Sequence, residues 1–223
     1  AGVTRDACNN WARLSFERAI ASRDWLSGEI VAVSVPSKKD TVSVINDEQP
    51  GIFNPEKMAK LPPSFTTDGV LTAATSSPMS DGAAAVLLAS ESALQKHPHL
   101  KPIAKIVAAA DHAALPTTRF PLAPRHCIDA ALSKAGLTWS DMDAVEINEA
   151  FAFVPAVNCP PDYDYSRVNA HGGAVALGHP LGASGTRITG TLARRLHDGE
   201  GRYGVAAVCN GGGGASCIIL ERC

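Results

Sequence analysis

The stretch NAHGGAVALGHPLGASGTR, residues 169–187, decides how the rest of this sequence is interpreted. It combines two histidines with five glycines, and glycine suits backbone that turns tightly or approaches a ligand, because it takes positive φ at little steric cost. The spacing of Ile188, Leu192 and Leu196 then predicts a helix with one apolar face. His179 would precede that helix, where an imidazole that titrates near neutrality can act as a base or stabilise a developing negative charge.

Composition limits the classes of protein to consider. The chain has 223 residues, of which 45% are hydrophobic and 19% charged, enough for a packed core in one or two domains. Its formal net charge of −2 argues against a nucleic-acid partner or a polybasic membrane anchor. No apolar run reaches the roughly 18–20 residues that cross a bilayer, so we expect no membrane span.

The six cysteines show no metal-binding pattern. They are Cys8, Cys127, Cys159, Cys209, Cys217 and Cys223. None forms a CxxC pair or a zinc-type spacing with histidine, and their density does not suggest a disulfide framework. We therefore expect no metal cofactor, a reducing compartment, and at least one thiol with a chemical role.

Local patterns predict alternating helices and strands. In the first half we expect a helix over 5–22 capped by Thr4, a strand over 29–35, loops over 36–63 containing a short helix near 56–61, a buried strand over 82–90 and a helix over 90–96. In the second half we expect strands over 102–110, 144–147, 204–209 and 215–220, a helix over 125–135 ended by Gly136, a short helix interrupted by Pro155, and the helix that follows His179. This alternation predicts an α/β fold with a central mixed sheet.

Three polar groups lie at the ends of predicted strands or within the glycine-rich stretch: the pair Asn148 and Glu149 after one strand, His179 in the stretch, and Cys209 at the end of another strand. Loops at the carboxyl ends of strands gather in one crevice of an α/β sheet. A thiol can act there as nucleophile or base, while an imidazole, an amide and the backbone N–H groups of residues 211–214 can hold an oxyanion. Together they favour acyl chemistry. Individually, the cysteine could be a core residue, the histidine structural, and the Asn–Glu pair a helix cap.

Longer motifs resemble those of a known family. NEAFA (148–152), VNAHGGAVALGHPLGASGTR (168–187) and CNGGGGAS (209–216) resemble the carboxy-terminal signatures of the thiolases, and the likeness extends through residues 57–90 and nearly the whole chain. Within the family, DHAALPTTRFPLAP (111–124) and CNGGGGAS are most similar to acetoacetyl-CoA thiolases.

The resemblance implies a reversible Claisen condensation of two acetyl-CoA molecules to acetoacetyl-CoA and CoA. His179 would match the histidine that activates the nucleophilic cysteine, and Cys209 the cysteine that removes the α-proton of acetyl-CoA. Asn148 would match the asparagine that holds an oxyanion-site water, and the Gly211 amide a donor of the second oxyanion site. Ser77 and Lys57 would contact CoA.

The resemblance also bears on potassium, which some acetoacetyl-CoA thiolases bind. The carbonyl positions of such a site align with Ala73, Ala74, Ser76 and Val175. Phe16 stands where the family has a tyrosine ligand and supplies no oxygen. At most a weak K⁺ site is therefore expected, and no cofactor other than the CoA thioester substrates.

The family fold is a layered α-β-α-β-α arrangement of two βαβαβαββ halves and a loop domain. By this resemblance residues 1–80 would form the loop domain and connection, 81–97 the last strand and helix of the N-terminal half, and 98–223 the C-terminal domain. None of the six cysteines has the C-x-S-G context of the acyl-bearing nucleophile.

We therefore expect a carboxy-terminal portion only, which needs the missing N-terminal half as a partner, in a homodimer or homotetramer. The alternatives are a non-catalytic CoA-binding or assembly fragment, and a longer-chain 3-ketoacyl-CoA thiolase.

Overall fold

The computed structural model describes residues 2–37 and 40–223, and its first half consists of helices and a hairpin. The elements are α1 (Arg5–Ala21), α2 (Arg23–Ser27), β1 (Val33–Pro36), β2 (Thr41–Val44), α3 (Pro55–Lys60) and α4 (Glu91–Lys96). Helix α1 begins as predicted, because the Thr4 hydroxyl accepts a hydrogen bond from Ala7 N at 3.1 Å.

The second half is built around a four-stranded mixed sheet. Its elements are β3 (Ala104–His112), α5 (Ala123–Ala135), β4 (Met142–Ile147), α6 (Val154–Asn158), α7 (Ala174–Leu177), α8 (Ser184–His197), β5 (Tyr203–Asn210) and β6 (Gly214–Arg222). The strand order is β3-β6-β5-β4, with β4 and β5 parallel and the other pairs antiparallel. The predicted α/β fold with a mixed sheet is confirmed.

Helices α5 and α8 cover opposite faces of this sheet. Ile188, Leu192 and Leu196 of α8 pack with Ala206 and Leu220 of the sheet, as their spacing predicts. Helix α5 packs with the other face and ends at Gly136, which takes φ of 66°, a conformation in which glycine is unstrained. Fully burying each of these leucine side chains is worth about 1.5–3 kcal/mol.

Four predictions of local structure need correction. Residues 82–90 form no strand and are exposed, because no strand of the described residues lies beside them to supply backbone partners. Strand β2, which lies in the predicted loop region and pairs with β1 in a hairpin, was missed. Strand β1 begins at Val33 rather than at residue 29, and Pro155 lies at the start of α6 rather than interrupting a helix.

The third strand of the expected βαβαβαββ pattern is reduced to a single bridge. Val168 pairs in parallel with Val145 of β4, outside the named strands. Residues 169–173 then continue as turns to α7. This short pairing still fixes the start of the glycine-rich stretch against the edge of the sheet.

A buried carboxylate joins the two halves of the chain. Glu149 is fully buried, and its Oε1 accepts hydrogen bonds from Trp11 Nε1 and Asn169 Nδ2, both at 2.9 Å. Its Oε2 accepts from the Ser15 hydroxyl at 2.7 Å and from Val175 N at 3.1 Å. Because all four contacts are donors, the site suits a carboxylate and ties α1, the loop after β4 and α7 together.

An ion cluster holds β4 against the end of α8. Arg195, 1% exposed, donates to Glu146 Oε1 at 2.6 Å and to Glu200 Oε2 at 2.7 Å. Although burial opposes it, a hydrogen bond from His171 and the Arg195 charge lower the pKa of Glu200 to about 2. The cluster connects the strand that precedes Asn148 to the helix that follows His179.

No helix among the described residues is long and apolar enough to span a membrane.

The Glu149 carboxyl group leaves no room for a side chain at Gly173. A Cβ at Gly173 would collide with the Glu149 carboxyl group, so Gly173→Ala should lower the free energy of unfolding by about 2 kcal/mol or more. Gly190, within α8, is the matched control, because its Cβ would meet only Val86 Cγ1 at 3.7 Å. Gly190→Ala should stabilise the chain by up to about 1 kcal/mol. Urea unfolding measures both changes, and equal stabilities for the two variants would contradict this account.

Candidate active site

The structure brings His179 into contact with Asn148. His179 Nε2 lies 3.3 Å from Asn148 Nδ2, and the other ring nitrogen, Nδ1, lies 2.6 Å from the Ser184 hydroxyl. Asn148 directly follows β4, while Ser184 begins α8. The imidazole is therefore held between the carboxyl end of a strand and the first turn of a helix.

Cys209 lies on the neighbouring strand at the same end of the sheet. Strands β4 and β5 are parallel, and Asn148 N donates to Ala207 O at 2.9 Å, which places Asn148 beside the last residues of β5. Cys209 is buried in the same cluster as Val175 and Ala176, shortly before His179. The predicted amide, imidazole and thiol thus gather at one end of the sheet.

Burial sets the protonation of both titratable groups. Burial, and then the charge of Arg187, lower the pKa of His179 below 6.5, so the imidazole is neutral at pH 7. Burial raises the pKa of Cys209 to about 11, so the resting group is a thiol. The site therefore combines a neutral base with a protonated thiol.

Asn148 has an unsatisfied acceptor at this site. Its Oδ1 is buried and makes no hydrogen bond within the described residues. Leaving a buried carbonyl oxygen unpaired costs about 1–3 kcal/mol. Packing alone does not account for this unpaired oxygen beside a candidate base.

The segment around Ser77 forms one wall of the site. Met79 forms a parallel bridge with His179, and His179 N donates to Pro78 O at 3.3 Å. The Ser77 N–H and hydroxyl both donate to Ala150 O, at 3.2 and 3.3 Å. Ser77, predicted to contact CoA, is thereby attached to the NEAFA loop, and the two residues after it are attached to the His179 loop.

A cavity of about 440 Å³ lies beside His179, lined by residues 80–84 and 180–183. Another cavity, of about 320 Å³, lies near Asp143 and Gly201, at the amino ends of β4 and β5. The first cavity adjoins the histidine loop and the second lies at the opposite end of these strands. We therefore associate the first with the candidate site.

The remaining predicted residues occupy the following places. Gly211 starts the exposed turn between β5 and β6, and Lys57 is exposed on α3. The potassium positions Ala73, Ala74 and Ser76 lie in and after a short 3₁₀ turn, and Val175 lies in α7. Phe16 stacks on Phe53 with ring centroids 4.8 Å apart. The CoA, oxyanion and K⁺ roles of these residues stay predictions.

Among the described residues, no group of three or more His, Cys, Asp or Glu side chains is arranged to hold a metal ion.

Sequence reasoning missed two residues that shape the site. Ser184 lies within the glycine-rich motif, five positions after His179, which is the only signal that could have identified it. Glu149 was grouped with Asn148 as a candidate polar pair, with a helix cap as the alternative, but its buried contacts with Trp11 and Ser15, far away in the chain, were not predicted. Neither contact is visible in a local pattern.

Comparisons with known proteins identify the family of this chain. The family model for the thiolase N-terminal domain matches residues 1–92, and the model for the thiolase C-terminal domain matches residues 100–222. The chain belongs to the thiolase family. The predicted family is therefore confirmed.

Individual thiolases match over almost the whole chain. Acetyl-CoA acetyltransferase of Yarrowia lipolytica is 46% identical over 99% of this chain and 55% of its own length. The crystal structure of human mitochondrial 3-ketoacyl-CoA thiolase has a TM-score of 0.89 and 36% identity, over 99% of this chain and 56% of that one. Acat5 thiolase from Ascaris suum in complex with coenzyme A has a TM-score of 0.86 and 36% identity, with the same coverage.

These matches correct one prediction about the extent of the chain. The expectation of a carboxy-terminal portion that lacks the N-terminal thiolase half is wrong, because the N-terminal domain model matches residues 1–92. The chain spans about 55% of the length of the curated thiolases it matches. The predicted subdivision at residues 80 and 97, and the oligomeric state, stay predictions.

The electrostatics of His179 can be tested with charge variants of Arg187. Arg187→Gln should raise the pKa of His179 towards 6.5, while Arg187→Lys, which keeps the charge, should leave it low. Histidine NMR titration measures both values. Because the unfolded histidine binds protons at higher pH than the folded one, His179 should also make stability fall as pH drops below about 6.5. Identical His179 titration curves in both variants would contradict the role of Arg187.

Proposed function

We propose that this thiolase chain carries the proton-transfer part of a thiolase site, acting in the reversible conversion of two acetyl-CoA molecules into acetoacetyl-CoA and CoA. The observation that carries the proposal is the contact between His179 Nε2 and Asn148 Nδ2 at 3.3 Å, at the same sheet end as the buried Cys209 thiol. Several relatives named acetyl-CoA acetyltransferase support the substrate class.

The difficult step is removal of a proton from the thioester α-carbon. In the proposal, Cys209 as thiolate takes that proton in the condensation direction and returns it in thiolysis. The negative charge moves to the thioester oxygen of the enolate, where donors placed before the reaction stabilise it best. The proposed donors, directly or through water, are Asn148, the Gly211 N–H, and His179 after its Nε2 has taken the proton of the Cys209 thiol.

The resting protonation states fit these roles. A thiol with a pKa of about 11 is a weak acid, so it needs a neighbouring base before it can act as a thiolate. His179, kept neutral by burial, supplies a lone pair for this purpose. Ser77 and Lys57 are proposed to bind the CoA portion of the substrate.

The acyl-transfer step is not assigned to a residue of this chain, because none of its six cysteines has the C-x-S-G context. Proton transfer at the α-carbon can be measured separately from acyl transfer. The proposal therefore concerns a half-reaction that depends only on residues present here.

Exchange of the acetyl-CoA methyl protons with deuterium tests the proposal. NMR in D₂O should show exchange by the 223-residue chain, and Cys209→Ala or His179→Ala should each slow it about 100-fold or more, as expected for loss of a general acid–base group. Cys223→Ala, at an exposed cysteine, is the matched control and should keep the wild-type rate. Unchanged exchange in Cys209→Ala would contradict the assignment.

The same assay separates the alternatives. CoA binding by calorimetry without any exchange would favour a non-catalytic CoA-binding chain. Faster exchange with a longer acyl-CoA than with acetyl-CoA would favour a longer-chain 3-ketoacyl-CoA thiolase; one human relative is named 3-ketoacyl-CoA thiolase, mitochondrial.

A further inference from the structure

Ser184 contacts the side of His179 that faces away from Asn148. Its side chain is fully buried, and its Oγ lies 2.6 Å from His179 Nδ1. Ala183 N and Ser184 N both donate to Pro180 O at 2.9 Å, which folds residues 180–184 into a turn and brings Ser184 next to the ring. The contact therefore follows from the backbone of the motif.

The donors and acceptors around the ring favour one arrangement of protons. A serine hydroxyl has a single hydrogen, and Ser184 Oγ lies 3.1 Å from Pro180 O, which can only accept. With its hydrogen donated to Pro180 O, Ser184 Oγ can only accept from an N–H at Nδ1. On the other side of the ring, Asn148 Nδ2 is a donor, which requires an unprotonated Nε2.

We propose that Ser184 is a positioning residue, which holds His179 as the Nδ1–H tautomer and leaves the Nε2 lone pair directed at Asn148. The tautomer itself is a property of the folded chain. Its catalytic consequence rests on the proposed function, because a base at Nε2 is useful only if Nδ1 carries the proton.

A purely structural role for Ser184 has a different signature. Serine hydroxyls in helices commonly bond to the carbonyl four residues earlier, and the contact with Pro180 O is of this kind. That bond alone does not require the short contact with the imidazole. A structural serine would affect stability on substitution but would leave the ring tautomer unchanged.

Histidine NMR of the 223-residue chain without substrate tests the proposal. The ¹⁵N and ¹³C shifts of His179 should report the Nδ1–H tautomer in the wild type. In Ser184→Ala, the ratio of the tautomers should move about tenfold towards Nε2–H, the equivalent of one neutral hydrogen bond. Ser22→Ala is the matched control, because Ser22 Oγ lies 2.8 Å from Nδ1 of the other motif histidine, His171, so it should leave His179 unaffected.

The outcomes separate this inference from the proposed function. An Nε2–H tautomer in the wild type, or an unchanged ratio in a folded Ser184→Ala chain, overturns the inference. If Ser184→Ala does not fold, Ser184→Cys, whose thiol forms weaker hydrogen bonds, is used to measure the change in tautomer ratio. The tautomer of the wild-type chain tests the inference in either case. In the deuterium-exchange assay, Ser184→Ala should lower kcat about tenfold and leave KM unchanged. The expected tautomer in a chain without exchange activity would refute the proposed function alone.

Discussion

The buried Glu149 carboxylate accepts hydrogen bonds from three separate segments of the chain, the first helix, Asn169 and α7. Removing a charge from water costs several kcal/mol, and four hydrogen bonds from Trp11, Ser15, Asn169 and Val175 N offset that cost only if all four donors are in place. The first helix, the loop after β4 and the glycine-rich stretch must therefore assemble together. Since Asn148 immediately precedes this carboxylate, its position is fixed by the same contacts.

The geometry of the site depends on these polar contacts as well as on the apolar core. Arg195 joins β4 to α8 through Glu146, so the strand that ends before Asn148 is tied directly to the helix that follows His179. The ring of His179 is then held from both sides, by Asn148 and by Ser184. Such preorganisation allows donors to meet developing charge without reorganising during the reaction.

The sequence predicted the parts of the fold that depend on local spacing. The apolar face of α8, the end of α5 at Gly136 and the Thr4 cap all follow from neighbours within a few residues, and the long motifs identified the family. The prediction of a strand over residues 82–90 was wrong because a strand requires a pairing partner elsewhere in the chain, and an apolar run does not reveal whether one is present. The role of Glu149 was hidden for a similar reason, since Trp11 and Ser15 lie 138 and 134 positions away.

The central claim is that His179, Asn148 and Cys209 meet at one acyl thioester. A crystal structure of the chain with bound acetyl-CoA tests this most directly. The account predicts the thioester oxygen about 3 Å from Asn148 or His179, directly or through one water, and the acetyl methyl about 3.5 Å from Cys209 Sγ. An acetyl group bound elsewhere, such as in the cavity beside Asp143 and Gly201, with the three side chains not touching it, would contradict the account.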